Sequence, residues 1–149
     1  MAHDAPVRGI SALGLLLVAV VGALSAGAAS ATSPIVPSTS LLVYAPQPAN
    51  RAAVRTVVFV NRGTSSAVLG PVAVHASGVP AFALASDSCG SEIAELAAGS
   101  ACAYVVVFHP PSTGRFRAVL QYGNGGSIVG AVKLVGVAVA GGAGVRRAG

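Results

Sequence analysis

The chain has 149 residues, which is enough for one domain around a single core. Apolar residues make up 54% of it and charged residues only 9%, so charge covers little of its surface. Lys and Arg exceed Asp and Glu by 9 to 4, but they are scattered and not clustered with stacking aromatic residues, which argues against a nucleic-acid partner. We interpret the excess mainly as a source of solubility, and secondarily as a sign of contact with anionic surfaces.

Residues 1–31 have the order of a secretory signal peptide. Arg8 precedes a long uncharged apolar run, and Ala29-Ser30-Ala31 supplies the A-x-A cleavage motif, so that cleavage would leave Thr32 as the first residue. This predicts an exported protein that is periplasmic, cell-surface or extracellular. The alternative is an uncleaved anchor, because the run approaches the ~20 residues of a spanning helix, and this segment would then be the chain's contact with a membrane. We favour cleavage because the densest apolar stretch, 13–24, is shorter and contains glycine.

Export changes the interpretation of the two cysteines. In an oxidising compartment an even number of cysteines usually means a disulfide, and Cys89 with Cys102 is the single intrachain pairing that the sequence offers. Closing this loop would stabilise the fold by about 3 kcal/mol on the chain-entropy model. A metal site would need further cysteines or well-spaced histidines, and a thioredoxin-like pair needs C-x-x-C, so neither alternative fits.

The first half of the remaining chain alternates short apolar runs with turn residues. Residues 32–40, TSPIVPSTS, are rich in proline and serine and predict a linker or an edge arm. Strands are predicted at 41–44 and at 54–61, where β-branched residues dominate. A strand over 67–75 that is broken at Gly70-Pro71 follows, and a further strand is predicted at 81–84.

The second half contains the longest apolar alternation. Residues 91–96 predict a single helical turn with Ser91 as its N-cap. The next strand places four apolar side chains on one face, because side chains in a strand repeat every second residue. These side chains are Cys102, Tyr104, Val106 and Phe108. A strand at 115–122 and a Gly-Asn-Gly-Gly hairpin turn come next, followed by a last strand pair, 127–129 and 131–139.

Together these patterns predict an all-β fold. Short strands with turn signals about every 8 to 12 residues indicate an immunoglobulin-like antiparallel β-sandwich of about seven to eight strands. A parallel α/β fold would need crossover helices, and no helical pattern of that length follows residue 32. The predicted organisation is a signal helix within 1–31, a linker at 32–40, the sandwich at 41–140 and a flexible basic tail at 141–149.

Several motifs along the sandwich also resemble a known family. They are V-x-F-x-N-x-G, G-x-x-x-F-x-L, L-x-x-G-x-x-C, V-x-F-x-P-x-x-x-G, A-x-L and L-x-G, formed by Val57, Phe59, Asn61, Gly63, Gly78, Phe82, Leu84, Leu96, Gly99, Cys102, Val106, Phe108, Pro110, Gly114, Ala118, Leu120, Leu134 and Gly136. Their order and spacing resemble the choice-of-anchor D domain, part of the wider ASH (abnormal spindle and Hydin) group of immunoglobulin-like domains related to PapD-like and major sperm protein domains. The resemblance implies a β-sandwich of exported bacterial surface proteins, commonly without a catalytic role.

No catalytic, cofactor-binding or metal-binding set emerges from the residues. His75 and His109 each stand alone, without a carboxylate at motif spacing. Glu92 and Glu95 suit helix capping better than a glycosidase pair, whose carboxylates sit on opposite sides of a cleft. No G-x-S-x-G elbow is present to accompany Asp87 in a hydrolase triad. We therefore predict that the protein is not an enzyme and uses no cofactor.

The outward side of the central strand gives the leading functional hypothesis. If Cys102 and its partners face the core, Val105 and Val107 point outward, beside Val58, Val60 or Val119 depending on strand order. Sizeable exposed apolar patches tend to mark interfaces, although a valine-rich composition alone would also give such a surface. The hypothesis is a structural or protein-interaction module of the bacterial cell envelope that binds a protein partner, or itself, through this face or a strand edge.

The alternative hypothesis is a module that binds an envelope ligand or glycan. Its site would use loops at one end of the sandwich, where His109, Arg115 and Arg117 would gather.

Overall fold

In a computed structural model of the chain, the described residues are 33–90 and 92–142. The predicted signal helix and most of the predicted tail lie outside them. Over the described residues the chain forms eleven strands: β1 (Ile35–Pro37), β2 (Leu41–Val43), β3 (Gln47–Pro48), β4 (Ala53–Asn61), β5 (Ala67–Leu69), β6 (Val72–Ala76), β7 (Phe82–Asp87), β8 (Ala94–Leu96), β9 (Ala101–Phe108), β10 (Gly114–Gly123) and β11 (Ile128–Val139). The count exceeds the expected seven to eight because several strands are only two or three residues long.

The strands form a sandwich of two main sheets. One is four-stranded, in the order β1-β4-β9-β7, and the other is five-stranded, in the order β2-β11-β10-β6 with β3 also beside β11. Strands β5 and β8 make a separate two-stranded sheet. The buried side chains of both main sheets form one hydrophobic core. The predicted all-β immunoglobulin-like sandwich is therefore confirmed.

The central strand β9 supplies the middle of that core. Its buried side chains are those predicted from the alternation: Cys102, Tyr104, Val106 and Phe108. The Phe108 ring stacks on Phe82 of the same sheet, with the centroids 4.8 Å apart, and lies 6.0 Å from Phe116 of the other sheet. It also occupies the space where Gly136 has no side chain, since a Cβ there would lie 2.5 Å from the ring. Phe108 thus joins the two sheets, and large buried aromatic side chains contribute about 1.5–3 kcal/mol each.

The Pro- and Ser-rich segment is an edge arm rather than a linker. Strand β1 pairs antiparallel with β4, from Ile35 opposite Asn61 to Pro37 opposite Phe59, and Ile35 is buried. An edge strand tolerates proline because one of its sides needs no hydrogen-bond donor. The chain then crosses to the five-stranded sheet, where β2 and β3 run parallel to β11. The sequence had predicted a wholly antiparallel sandwich that starts at residue 41. The sandwich instead contains parallel pairs and begins before residue 41.

The helical turn predicted at 91–96 is wrong over the residues that the structure describes. Ala94–Leu96 is strand β8, which pairs antiparallel with β5. Ala94 and Leu96 are both buried while Glu95 is exposed, which is the two-residue period of a strand.

The last two predicted strands are one strand, β11. Gly130 does not interrupt it, because the missing side chain leaves room for the Tyr122 ring of the neighbouring strand.

Candidate functional site

Strands β4 and β9 put the four candidate interface valines on the same outward side of the four-stranded sheet. In their register, Val58 pairs with Ala103 and Val105 pairs with Thr56. The alternate positions on both strands are buried, so Val60 and Val107 share the outward side with these residues. Val119, the other neighbour considered from the sequence, lies on the five-stranded sheet instead.

This outward side is an uncharged surface, which we call the valine face. It comprises Val36, Val54, Thr56, Val58, Val60, Ala83, Ser86, Ala101, Ala103, Val105 and Val107. Val54 is 65% exposed and Val36 is 40% exposed, while the four candidate valines are half-buried among their neighbours. A solvated sheet face normally carries polar and charged side chains, whereas none of these side chains ionises. The surface is therefore suited to apolar contact with a partner.

The disulfide fixes one end of the sheet behind the valine face. Cys89 and Cys102 are bonded, with an S–S distance of 2.08 Å and 5.1 Å between the Cα atoms, as the sequence predicted. Beside the bond, the Ser88 N–H donates to the Ala103 carbonyl, and the Ala103 N–H donates to Ser88 Oγ at 2.9 Å. The segment after β7 is thereby attached to β9, which limits movement of this end of the sheet.

Tyr44 connects the back of the valine face to the other sheet. The chain leaves β2 at Tyr44, whose hydroxyl donates to the Val106 carbonyl at 2.7 Å in the core. Burial raises the pKa of Tyr44 to about 12, against a smaller lowering effect of the Arg55 charge. Burial also raises the pKa of Tyr104, with a further contribution from Asp87. These phenols are neutral structural groups at physiological pH.

Asn61 is a fully buried polar side chain at the end of β4. Its Nδ2 donates to the carbonyls of Ser65 and Leu96, both at 2.8 Å, and its Oδ1 accepts from the Gly63 N–H at 2.9 Å. One side chain therefore holds the turn after β4 and the end of β8. The sequence showed Asn61 as part of a motif, but the role of its amide depends on contacts that are distant in the chain.

The residues proposed for a loop site do not line a common cavity among the described residues. His109 lies at the end of β9 and lines a shallow groove of about 220 Å³ with Pro80 and Val107. Arg115 and Arg117 lie on the outward side of β10 in the other sheet. Arg117 lines a different groove, together with Lys133. Sequence reasoning missed Lys133, because the alternation of β10 and β11 shows which side chains face outward but not the register that makes them neighbours.

Two of the acidic residues also share a cavity. Asp87 and Glu92 line a space of about 400 Å³ together with Tyr104 and Leu84. In the described part of the chain, no group of three His, Cys, Asp or Glu side chains is arranged to hold a metal ion. Helices long and apolar enough to span a membrane are likewise absent from residues 33–90 and 92–142.

Solved structures with a similar fold support the description of the sandwich. PapD-like domain 7 of human CEP192, an ASH domain, matches with a TM-score of 0.55 at 10% sequence identity, over 74% of this chain and 88% of that one. The fold is ASH-like and PapD-like. The VesB protease of Vibrio cholerae matches with a TM-score of 0.50 at 15% identity, over 71% of this chain but 32% of VesB. This chain thus spans about a third of VesB. No protein-family model and no curated protein matches the sequence.

Proposed function

We propose that the chain is an exported, non-enzymatic β-sandwich that acts as a structural or protein-interaction module of a bacterial cell envelope or surface. Its partner is a protein, and the docking surface is the valine face. The observation that carries this proposal is the continuous uncharged side of β4 and β9, where a solvated sheet would have charges. The ordered motifs from Val57 to Gly136 support a place within the choice-of-anchor D type of ASH domain.

Export is supported by the disulfide and by the A-x-A cleavage motif before Thr32. Disulfides persist in oxidising compartments and are rare in the cytosol. The Cys89–Cys102 bond joins the segment after β7 to β9, so it contributes to the sheet that carries the docking surface. Mass spectrometry of the protein from its native host should find Thr32 as the first residue and the two thiols oxidised. An intact N-terminus with free thiols would contradict export.

A protein partner fits the valine face better than a small ligand does. Small-molecule sites are concave and place a few polar groups precisely, whereas this face is the outer side of a sheet with alanine and valine side chains. Burial of such a surface stabilises an interface by about 25 cal/mol per Å² of apolar area removed from water. A second copy of the chain is the first partner to test, because the same patch can meet itself across a twofold axis.

The test introduces charge into the middle of the valine face. V105K/V107K would place two ammonium groups in the buried part of the interface, whereas S112K/T113K adds the same charge at an exposed turn. Light scattering over a range of concentrations should give a mass above that of the monomer for the wild type and for S112K/T113K, and the monomer mass for V105K/V107K. Thermal unfolding checks that all three are folded. A wild type that stays monomeric, and whose behaviour both variants share, would contradict an interface between two copies at the valine face.

A further inference from the structure

Three cations lie on the outward side of the five-stranded sheet, opposite the valine face. Arg115 and Arg117 are exposed on β10, and Arg117 pairs with Val135 of β11. Lys133 is two residues from Val135 and is therefore the diagonal neighbour of Arg117, a separation of about 7–8 Å between Cα atoms. Arg117 and Lys133 line one open groove of about 430 Å³, whose lining also includes Val119.

The acidic residues are in another part of the sandwich. Among the described residues they are Asp87, Glu92 and Glu95, all within one stretch of nine residues that runs from the end of β7 into β8. None of them belongs to the strands of the five-stranded sheet. Three of the six Arg and Lys residues in the described part of the chain therefore lie on a face whose strands carry no acidic residue, and opposite charges do not cancel their charge there.

Exposed aliphatic side chains border these cations. Lys133 pairs with Leu41, and Val135 pairs with Val43, both on β2. Leu41 is 44% exposed and Val43 is 51% exposed, so the cations stand next to apolar groups that water already reaches. Peripheral membrane surfaces combine these two features, because cations attract lipid phosphates while the apolar side chains enter the boundary of the acyl chains.

We propose that this side of the sheet, the basic face, docks on a bilayer that contains anionic phospholipid. The basic face consists of Arg115, Arg117, Lys133, Leu41, Val43, Val119 and Val135. Its groove is open and its cations are exposed, which suits a broad anionic surface. Because the two faces lie on opposite sides of the sandwich, a membrane-bound domain leaves the valine face accessible. The proposal does not depend on what binds the valine face.

The experiment uses the full chain and two kinds of vesicle, phosphatidylcholine alone and equal parts of phosphatidylcholine and phosphatidylglycerol. The readout is the ratio of the partition coefficients for the two, since any contribution of the apolar N-terminal run is common to all variants. Each cation near an anionic surface contributes about fivefold to partitioning, so R115Q/R117Q should lose about 25-fold of the anionic preference. The control R55Q/R62Q removes the same charge from β4 and the turn after it, and should change the ratio less than about threefold.

A second readout uses the fact that Lys133 is the one lysine in the sequence. Acylation of its amine, followed by mass spectrometry of the peptide, should slow several-fold when anionic vesicles are added and stay unchanged with phosphatidylcholine alone. Equal losses in the two double variants would overturn the proposal, because general charge rather than this face would then cause binding. An unprotected Lys133 would also overturn it, as would binding to polyglutamate without binding to anionic vesicles, which would indicate an acidic protein partner.

Discussion

Replacement of Asn61 by alanine should destabilise the fold far more than an ordinary polar-to-alanine change. The side chain is fully buried and makes three hydrogen bonds, two donated by Nδ2 and one accepted by Oδ1. The bond to the Leu96 carbonyl is buried, while those that involve Ser65 and Gly63 are partly buried. Alanine leaves all three backbone groups without this partner.

The expected loss follows from how deeply each abandoned group is buried. A buried group left unsatisfied costs about 1–3 kcal/mol, and a partly buried hydrogen bond contributes about 0.5–1.5 kcal/mol. With partial access of water to the turn after β4, the sum is about 3 kcal/mol. For a domain of this size, this corresponds to a drop in Tm of roughly 12 °C.

The assay is equilibrium unfolding in guanidinium chloride, with Asn124→Ala as the matched control. Asn124 is exposed, and its Oδ1 accepts one hydrogen bond, from the Ser127 N–H at 3.2 Å. The control should lose about 0.5 kcal/mol or less. If Asn61→Ala loses less than about 1 kcal/mol, or no more than the control, the role assigned to the buried amide is refuted.

Three further predictions concern the core. The C89S/C102S variant should lose about 3 kcal/mol of unfolding free energy in chemical denaturation. A reducing agent should lower the unfolding free energy of the wild type but not that of this variant. If it leaves the wild-type value unchanged, the structural role of the bond is contradicted. The pKa of Tyr44 is raised from 10.0 to about 12 in the folded state, so the stability that its neutral phenol contributes is fully present below pH 10 and is lost as pH rises toward 12. Tyr44→Phe should therefore show a flatter alkaline unfolding profile by circular dichroism. A profile as steep as that of the wild type would argue against this role of Tyr44. Gly136→Ala should lower stability by about 1–3 kcal/mol in thermal unfolding, because its Cβ would meet an aromatic ring, whereas Gly126→Ala, which has open space, should be neutral; similar results for both would disprove the close packing.

The sequence predicted the features that depend on local alternation or on composition. The buried face of β9 followed from the period of two, and the disulfide followed from two cysteines and an export signal. The helical turn at 91–96 was wrong because Ser91 and Glu92 match a capping pattern locally, whereas pairing of Ala94–Leu96 with β5 is a contact between distant segments. Propensity patterns do not contain such contacts.

The two candidate surfaces differ in how much of them the sequence could provide. The side of the sheet on which Val105 and Val107 lie was predictable, but their proximity to Val58 and Val60 required the pairing of β4 with β9. The neighbourhood of Arg117 and Lys133 likewise required the register of β10 against β11. Register is set by packing and turn geometry over the whole sheet, so a single strand does not reveal it.

The central claim is that the valine face buries its apolar side chains against a protein, beginning with a second copy of the chain. Its most direct test is the association constant of the V105T/V107T variant, measured by sedimentation equilibrium against the wild type. Threonine keeps the branched shape and adds no charge, so the variant separates apolar burial from electrostatic repulsion. We predict association weakened by about tenfold or more with an unchanged fold. Equal association constants would contradict the claim, and no association of the wild type at all would exclude a second copy as the partner.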